Sequence, residues 1–203
     1  MKIVIVDYGM GNKKSIVSTL KYLGVDDILI SSNFEDLKQS NKIILPGVGS
    51  FGKAINQIKD NKLDIYLNEL VIEKKKPILG ICLGMQLMGL SSTEDGLNKG
   101  LGFVDAVVSR FDNINFKIPH VGFNQIKINN NLKLYNGLTG SPDFYFTHSF
   151  KMTSKYDINQ SCCDYGGDFI ASFEVENIAG VQFHPELSQY NGLNLLKNFI
   201  EKF

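Results

Sequence analysis

Hydrophobic residues in the first half of the chain form short runs that alternate with amphipathic stretches. Apolar runs bounded by turn residues predict buried parallel strands at 2–7, 27–31, 42–45 and 77–81. Apolar residues at helical spacing between these runs predict helices at 12–23, after Ser50, at about 64–75 and just after Cys82. This alternation predicts an α/β fold with a mostly parallel central sheet flanked by helices.

The second half has a different pattern, in which strand signals follow one another with few helices between them. Strands are predicted at 105–111, 121–128, 144–150, 169–175 and 178–183, and a closing helix at 192–203. We therefore expect part of this half to extend the sheet with antiparallel strands. Because the chain has no internal repeat, low-complexity segment or linker, residues 1–203 are interpreted as a single domain.

The composition is that of a globular protein with balanced charge. Of the 203 residues, 43% are hydrophobic and 21% are charged, which is enough apolar content for a core that needs no disulfide or metal. Lys plus Arg and Asp plus Glu each number 21, so the formal charge is zero. The lack of a basic excess argues against a nucleic-acid partner.

The N-terminus and the cysteines indicate a cytoplasmic protein. Met1 leads directly into the first predicted strand instead of a secretory signal, and no apolar run is long enough to span a membrane. The cysteines, Cys82, Cys162 and Cys163, are odd in number and two are adjacent, so no disulfide framework is expected. The C-x-x-C metal spacing is absent as well. We expect no metal and no cofactor, and we interpret Cys162 and Cys163 as incidental.

The strongest chemical signal is Gly80-Ile81-Cys82-Leu83-Gly84, the thiol form of the nucleophile elbow G-x-S-x-G. An apolar strand precedes it and a helical pattern follows, which is the context that this motif requires. The glycines would relieve crowding in the sharp turn, and the helix N-terminus would favour the thiolate of Cys82. Taken alone, the motif is equally consistent with a small buried cysteine in a glycine-containing turn.

The second signal is Gln182-Phe183-His184-Pro185-Glu186, at the end of the last predicted strand. A histidine at a strand end can act as a base toward a thiol, and a carboxylate two residues further on can fix its tautomer. A purely structural histidine is the alternative. The H-x-E pattern also occurs in zinc deaminases, but the P-C-x-x-C that those enzymes need is missing.

The third signal is Pro46-Gly47-Val48-Gly49-Ser50-Phe51-Gly52, which contains a G-x-G-x-x-G between a strand and a helix. Dinucleotide binding is one interpretation. Against it, the motif follows a later strand instead of the first, and no acidic residue ends the next strand to bind a ribose. The other interpretation is that these glycines let backbone N–H groups approach a developing oxyanion.

Together these motifs resemble those of the class I (triad) glutamine amidotransferases. The resemblance rests on Pro-Gly-Val-Gly-Ser-Phe-Gly at 46–52, Gly-Ile-Cys-Leu-Gly-Met-Gln at 80–86 and Phe-His-Pro-Glu at 183–186. Within that family the chain is most similar to the glutaminase subunits of imidazole glycerol phosphate synthase, with matches that also include 7–12, 117–122 and 144–149. The resemblance implies the single-domain amidotransferase fold and L-glutamine as the substrate.

The resemblance also implies the roles of the reacting groups. Cys82 would attack the glutamine carboxamide, and His184, oriented by Glu186, would accept the thiol proton and pass it to the leaving ammonia. The backbone N–H of Leu83 and one from the Val48–Gly49 segment would form the oxyanion hole. The peptide of this segment would have to rotate to aim its N–H, which glycines allow at low cost.

The substrate-binding residues implied by the resemblance hold the α-amino and α-carboxylate groups of glutamine or line the pocket. They are Gly47, Gly49, Gln86, Thr147, His148 and Ser149. His120 is expected to be structural or interfacial, because the reaction needs one base. A catalytically silent regulator and a general thiol hydrolase are the alternatives, which the intact triad and the glutamine-binding motifs disfavour.

The partner implied by the resemblance is a synthase subunit that receives ammonia, namely a (β/α)₈ cyclase of histidine biosynthesis. The family usually has Lys where this chain has Leu187, Trp where it has Phe123, and Val and Tyr where it has Thr147 and Phe150. The usual Lys and Trp lie on the face that meets the synthase. A paralogue that supplies ammonia to an amidotransferase for surface sugars is therefore kept as the alternative.

Overall fold

A mixed nine-stranded sheet lies at the centre of the computed structural model, which describes residues 1–112 and 116–203. A smaller four-stranded sheet lies beside it in the same described ranges. The strands, in chain order, are β1 (Lys2–Val6), β2 (Asp27–Ser31), β3 (Lys42–Leu45), β4 (Ile78–Ile81), β5 (Ser91–Ser92), β6 (Asn98–Lys99), β7 (Val107–Arg110), β8 (His120–Lys127), β9 (Asp143–His148), β10 (Phe150–Thr153), β11 (Gln160–Asp164), β12 (Asp168–Val175) and β13 (Ile178–Val181).

Helices flank the central sheet, and most of them lie in the first half of the chain. The α-helices are α1 (Lys13–Tyr22), α2 (Phe34–Gln39), α3 (Phe51–Asp60), α4 (Leu63–Leu67), α5 (Leu83–Leu87) and α6 (Gln189–Lys202). A π-helical segment, Asn68–Glu73, continues α4, and 3₁₀ turns occur at Lys133–Tyr135 and Pro185–Leu187. No described helix has the length and apolar character that crossing a membrane requires.

The central sheet has a parallel half and an antiparallel half, as the sequence predicts. Its strand order is β2-β1-β3-β4-β13-β12-β11-β8-β9. The pairs from β2 to β13 are parallel, and those from β13 to β9 are antiparallel. The parallel strands β3, β4 and β13 are neighbours, so their carboxyl ends meet at one edge of the sheet.

The core has two layers because alternate residues of a strand face opposite sides of the sheet. In β1, Val4 and Val6 pack with residues of α2, α3, α4 and α5, whereas Ile3 and Ile5 pack with residues of α1 and α6. Both sides of β1, β3 and β4 are therefore covered by apolar side chains. This explains why these strands read as continuous hydrophobic runs instead of alternating ones.

The structure differs from the predicted elements at several points. The run 144–150 is not one strand: it divides at Ser149 into β9 of the central sheet and β10 of the small sheet. The helix predicted at 64–75 is α4 followed by the π-helical segment. β11 was not predicted, and its two cysteines pair with β8, where Cys163 is opposite Ile126.

Candidate active site

Cys82 lies in the strained turn between β4 and α5. Its backbone has φ 53° and ψ −111°, and a positive φ is unfavourable for a residue with a side chain. The two flanking glycines are sterically required: a Cβ on Gly80 would lie 2.8 Å from Met85 Cα, and one on Gly84 would lie 1.9 Å from the carbonyl oxygen of Leu45. The turn therefore forms only with glycine on both sides of the cysteine.

Strand pairing brings His184 to the same edge as Cys82. β4 and β13 are adjacent and parallel, and Ile81 is opposite Val181. Cys82 follows Ile81 directly, and His184 lies a few residues beyond Val181. The two motifs are distant in the sequence but converge because parallel neighbours end at the same edge.

His184 and Glu186 form a buried pair. His184 Nδ1 lies 2.8 Å from Glu186 Oε1, and the side chains are only 5% and 1% exposed. A carboxylate oxygen can only accept here, so Nδ1 carries a proton and Nε2 is the nitrogen that can exchange a proton with Cys82. Burial lowers the pKa of His184, but the neighbouring Cys82 and Glu186 outweigh burial and raise it above its ordinary value. His184 Nε2 and Glu186 Oε2 are buried without a hydrogen-bond partner among the described residues.

A serine that the sequence pattern does not mark holds His184 in place. The hydroxyl of Ser188 donates to the carbonyl of His184 at 2.6 Å and accepts from the amide of Tyr145 at 2.9 Å. The amide of His184 in turn donates to the carbonyl of Tyr145 at 2.9 Å. Ser188 is buried, and it therefore fastens the His184 turn to β9.

The segment from Pro46 to Gly49 follows β3 and lies against the elbow. Val48 is 41% exposed and Gly49 has φ 109°, a conformation that favours glycine. The buried hydroxyl of Tyr8 donates to the carbonyl of Pro46 at 2.6 Å. A Cβ on Gly47 would lie 2.8 Å from Tyr8 Oη, so Gly47 packs tightly against Tyr8.

The helix N-terminus after this segment is already occupied by acidic residues. The amide of Phe51, the first residue of α3, donates to Glu94 Oε2 at 2.9 Å. The hydroxyl of Ser50 donates to Asp95. Because these carboxylates take the place where a pyrophosphate would bind, the arrangement disfavours the dinucleotide interpretation of the G-x-G-x-x-G pattern.

A cavity of about 430 Å³ opens beside Cys82. Its size is in the range of small-molecule sites. The residues that line it are Val48, Gly49, Cys82, Leu83, Gln86, Glu94, Pro119, Thr147, His148, Ser149 and Phe150. Glu94 was not predicted, because an isolated acid in a polar turn has no distinctive sequence signal. Burial raises the pKa of Glu94, although its hydrogen bond from Phe51 opposes this.

The His148 side chain is engaged in a buried hydrogen-bond chain. Its Nδ1 lies 2.7 Å from the carbonyl of Phe150, which can only accept, so Nδ1 carries the proton. His148 Nε2 must then accept from His120 Nδ1 at 3.0 Å. Burial lowers the pKa of His120 to about 4 and that of His148 to about 3. Both rings are therefore neutral, and His120 fixes the orientation of His148.

Gln86 is also held by the carbonyl of Phe150. Its Nε2 donates to that oxygen at 3.0 Å and to Gln182 Oε1 at 2.8 Å. Both amide protons are thus used, and only Oε1 of Gln86 remains to accept a hydrogen bond.

Cys162 and Cys163 belong to a different part of the molecule. Both lie on β11, and burial raises the pKa of Cys162 and raises that of Cys163 to about 12. These thiols are poorly suited to nucleophilic chemistry. Within the described residues no cluster of three or more His, Cys, Asp or Glu side chains could hold a metal ion.

Solved structures show the same fold. The structure of PurLQS from Thermotoga maritima aligns with a TM-score of 0.74 and 19% identity, over 98% of this chain and 97% of that chain. The glutaminase domain of Trypanosoma brucei CTPS aligns with a TM-score of 0.69 and 16% identity, over 100% and 95%. The predicted fold class is confirmed.

Sequence comparisons identify the family. The model "Glutamine amidotransferase class-I" matches residues 4–203. Imidazole glycerol phosphate synthase subunit HisH 1 of Campylobacter jejuni (strain RM1221) is 42% identical, over 98% of each chain. Subunit HisH 2 of Vibrio vulnificus (strain YJ016) is 40% identical, over 99% of this chain and 94% of its own. The chain belongs to the class-I glutamine amidotransferase family, and within it to the HisH subunits.

Proposed function

We propose that this protein is the glutaminase subunit of an imidazole glycerol phosphate synthase, which hydrolyses L-glutamine and supplies ammonia for histidine biosynthesis. One observation carries the proposal: Cys82, on a strained elbow beside a cavity, lies next to a buried histidine whose Nδ1 is bonded to a carboxylate. This is the arrangement of a thiol nucleophile, its base and the group that orients the base. The HisH relatives support the pathway.

The first half-reaction forms a thioester. His184 Nε2 takes the proton of the Cys82 thiol, and the sulfur attacks the side-chain carbonyl carbon of glutamine. The π electrons of the carbonyl move to its oxygen, which becomes an oxyanion. The N–H groups of Leu83 and of the Val48–Gly49 segment would stabilise this oxyanion. The oxyanion collapses, the C–N bond breaks, and the nitrogen leaves as ammonia with the proton from His184.

The second half-reaction releases glutamate. His184 takes a proton from water, whose oxygen attacks the thioester carbonyl. The C–S bond then breaks, glutamate leaves, and the proton returns to Cys82. Glu186 accepts the hydrogen bond from His184 Nδ1 and so keeps Nε2 as the nitrogen that exchanges protons.

Recognition of the amino-acid end of glutamine follows from the lining of the cavity. Glu94 offers a carboxylate, and Gln86 has only its Oε1 left to accept a hydrogen bond, so both suit the α-ammonium group. Thr147 and Ser149 also line the cavity, and we propose that they bind the α-carboxylate. The side chain of His148 is used by its own network, so we propose that His148 acts on the substrate by shaping the cavity.

An exposed apolar surface beside the site supports a synthase partner. Val121 is 56% exposed, Phe123 46% and Leu187 44%. Phe123 is opposite Tyr145 in the β8–β9 pair, and Tyr145 is hydrogen-bonded to His184. Phe123 and Leu187 therefore adjoin the His184 turn, and we call the three exposed residues the apolar rim. We propose that a (β/α)₈ cyclase covers the apolar rim and receives the ammonia there.

A second candidate function is ammonia supply to a surface-sugar amidotransferase. Some relatives are named HisH 1 or HisH 2. In addition, the apolar rim has Leu187 and Phe123 where the family usually has Lys and Trp. A changed docking surface would suit a different synthase without any change in the glutaminase chemistry. The location proposed for either function is the cytoplasm, since the three cysteines are unpaired.

The proposal is tested by comparing two nitrogen sources in the complex with the cyclase. Cys82→Ala should abolish product formation from glutamine and leave formation from added ammonia intact, because the cyclase needs only the ammonia. Cys162→Ala is the matched control and should retain both. Glutamine-dependent synthesis by Cys82→Ala would show that the nucleophile is assigned wrongly.

A further inference from the structure

Gln182 is a buried polar residue to which the reaction above gives no role. It follows β13, is 0% exposed and lies two residues before His184. Its amide nitrogen, Nε2, is 3.7 Å from Cys82 Sγ, within hydrogen-bonding range for sulfur. A buried amide is costly unless it is hydrogen-bonded, so this contact requires an explanation.

A fixed reference determines which end of the Gln182 amide faces the sulfur. The carbonyl of Phe150 can only accept, so the group that Gln86 turns toward it must be the NH₂. The same NH₂ of Gln86 is 2.8 Å from Gln182 and must find an acceptor there, which is Gln182 Oε1. The NH₂ of Gln182 consequently points at Cys82.

The opposite orientation of Gln182 would be unfavourable at both ends. It would place two NH₂ groups against each other at Gln86 and would turn a carbonyl oxygen toward a sulfur that must become negative. Both side chains are almost completely buried, so water does not relieve either clash. The backbone of Gln182 is also fixed, because its amide donates to the carbonyl of Ala171 at 2.8 Å.

We propose that Gln182 is a positioning residue that donates a hydrogen bond from its side-chain amide to the Cys82 thiolate, holds the sulfur in place and stabilises its charge. The proposal rests on the proposed function, because it takes Cys82 as the nucleophile. Hydrogen bonds to a charged acceptor are stronger than neutral ones, so the thiolate gains more from this donor than the thiol does. Gln86 sets the direction of the donor and thereby links the substrate cavity to the sulfur.

Other groups also act on the sulfur and must be separated from Gln182. His184 faces Cys82 and exchanges a proton with it, and the buried Tyr8 interacts with it electrostatically. The test variants leave His184 and Tyr8 unchanged, so a difference from the wild type reports on position 182.

The test is the pH profile of Cys82 alkylation by iodoacetamide, followed site by site with mass spectrometry. Gln182→Met removes the donor at similar length, and Gln182→Glu keeps an acceptor for Gln86 but turns an oxygen toward the sulfur. We expect the midpoint of the profile to move upward by about one pH unit in Gln182→Met and further in Gln182→Glu. Gln125→Glu, at an exposed position, is the control and should match the wild type.

A midpoint equal to that of the wild type in both folded variants would overturn the proposal, even if the variants are less stable. The wild-type protein gives a second test that does not depend on how a variant folds. In a sample labelled with ¹⁵N-glutamine, the side-chain NH₂ resonances of Gln182 should shift as Cys82 is titrated, and unchanged resonances would also overturn the proposal. Neither readout needs glutamine turnover, so absence of glutamate release would count against the proposed function alone.

Discussion

The amide nitrogen of Cys82 donates a hydrogen bond to the carbonyl oxygen of Val181 at 2.8 Å. This bond joins the first residue after β4 to the last residue of β13, the strand that leads to His184. The separation of the two reacting groups is therefore set by sheet pairing and not by flexible loops. A site built on paired strands can hold its groups in the geometry that the reaction needs.

Glu186→Gln should slow glutamine hydrolysis by about 10²-fold or more, because an amide cannot hold His184 in the required tautomer as well as a carboxylate does. Cys82 should remain open to alkylation by a glutamine-like electrophile. Steady-state glutamate release measures the first effect and mass spectrometry the second. The control is Glu176→Gln, at an exposed carboxylate that pairs with Lys75. Equal turnover in the wild type and Glu186→Gln would mean that Glu186 does not orient the base.

Ser188→Ala should lower both stability and turnover. It removes the hydroxyl between His184 and Tyr145 and leaves the amide of Tyr145 without its acceptor. We expect a loss of about 1–3 kcal/mol in the free energy of unfolding, together with a lower kcat. Urea denaturation and glutamate release are the measurements, and Ser18→Ala, on an exposed face of α1, is the control. A variant with wild-type kcat would show that the His184 turn is held by other contacts.

Gly84→Ala should disrupt the elbow. The new methyl carbon would lie 1.9 Å from the carbonyl oxygen of Leu45, so β3 or α5 would have to move. We expect a destabilisation of about 3 kcal/mol or more. Gly96→Ala is the comparison, because nothing lies within 4 Å of its added carbon and only the positive φ of 96° opposes it. The measurement is the melting temperature of each variant, which should be lower for Gly84→Ala. Equal melting temperatures would contradict the packing described for Gly84.

Burial of His120 and His148 should make the protein less stable in acid. The pKa of His120 falls from 6.5 to about 4 on burial, so between these pH values the unfolded chain binds a proton that the folded protein excludes. The free energy of unfolding must then decrease as the pH falls through this window. His120→Asn keeps a donor near His148 and does not titrate, so its pH dependence should be shallower. Urea denaturation at several pH values measures both proteins, and parallel curves would contradict a neutral buried His120.

Most of the parallel half of the fold was predictable because its inner strands, such as β3 and β4, are buried on both faces. β3 has the predicted bounds, since apolar runs of this kind end sharply at turn residues, and the half-exposed edge strand β2 has them as well. In the small sheet, β5 and β6 were not predictable, because they contain two residues each and so have no periodicity. The division at Ser149 depends on which sheet each half joins, which is a matter of tertiary structure.

The site residues that lie in sequence motifs were predicted. The residues that contact the site without belonging to a motif were not. The Cys82 and His184 motifs were visible, and strand pairing brings them together. Glu94 and Ser188 carry no local signal, because one reaches the cavity from a turn and the other acts through two backbone groups. Gln182 was visible within a motif, but its contact with the sulfur depends on Gln86, which is distant in the chain.

Glutamate release from glutamine by the purified protein is the most direct test of a partner-coupled glutaminase. It should be measured alone, and then with the cyclase of the same genome and its phosphoribulosyl ligand. We predict release that rises strongly when cyclase and ligand are both present and that is lost in Cys82→Ala. No release under any of these conditions, from protein whose fold is verified, would contradict the account.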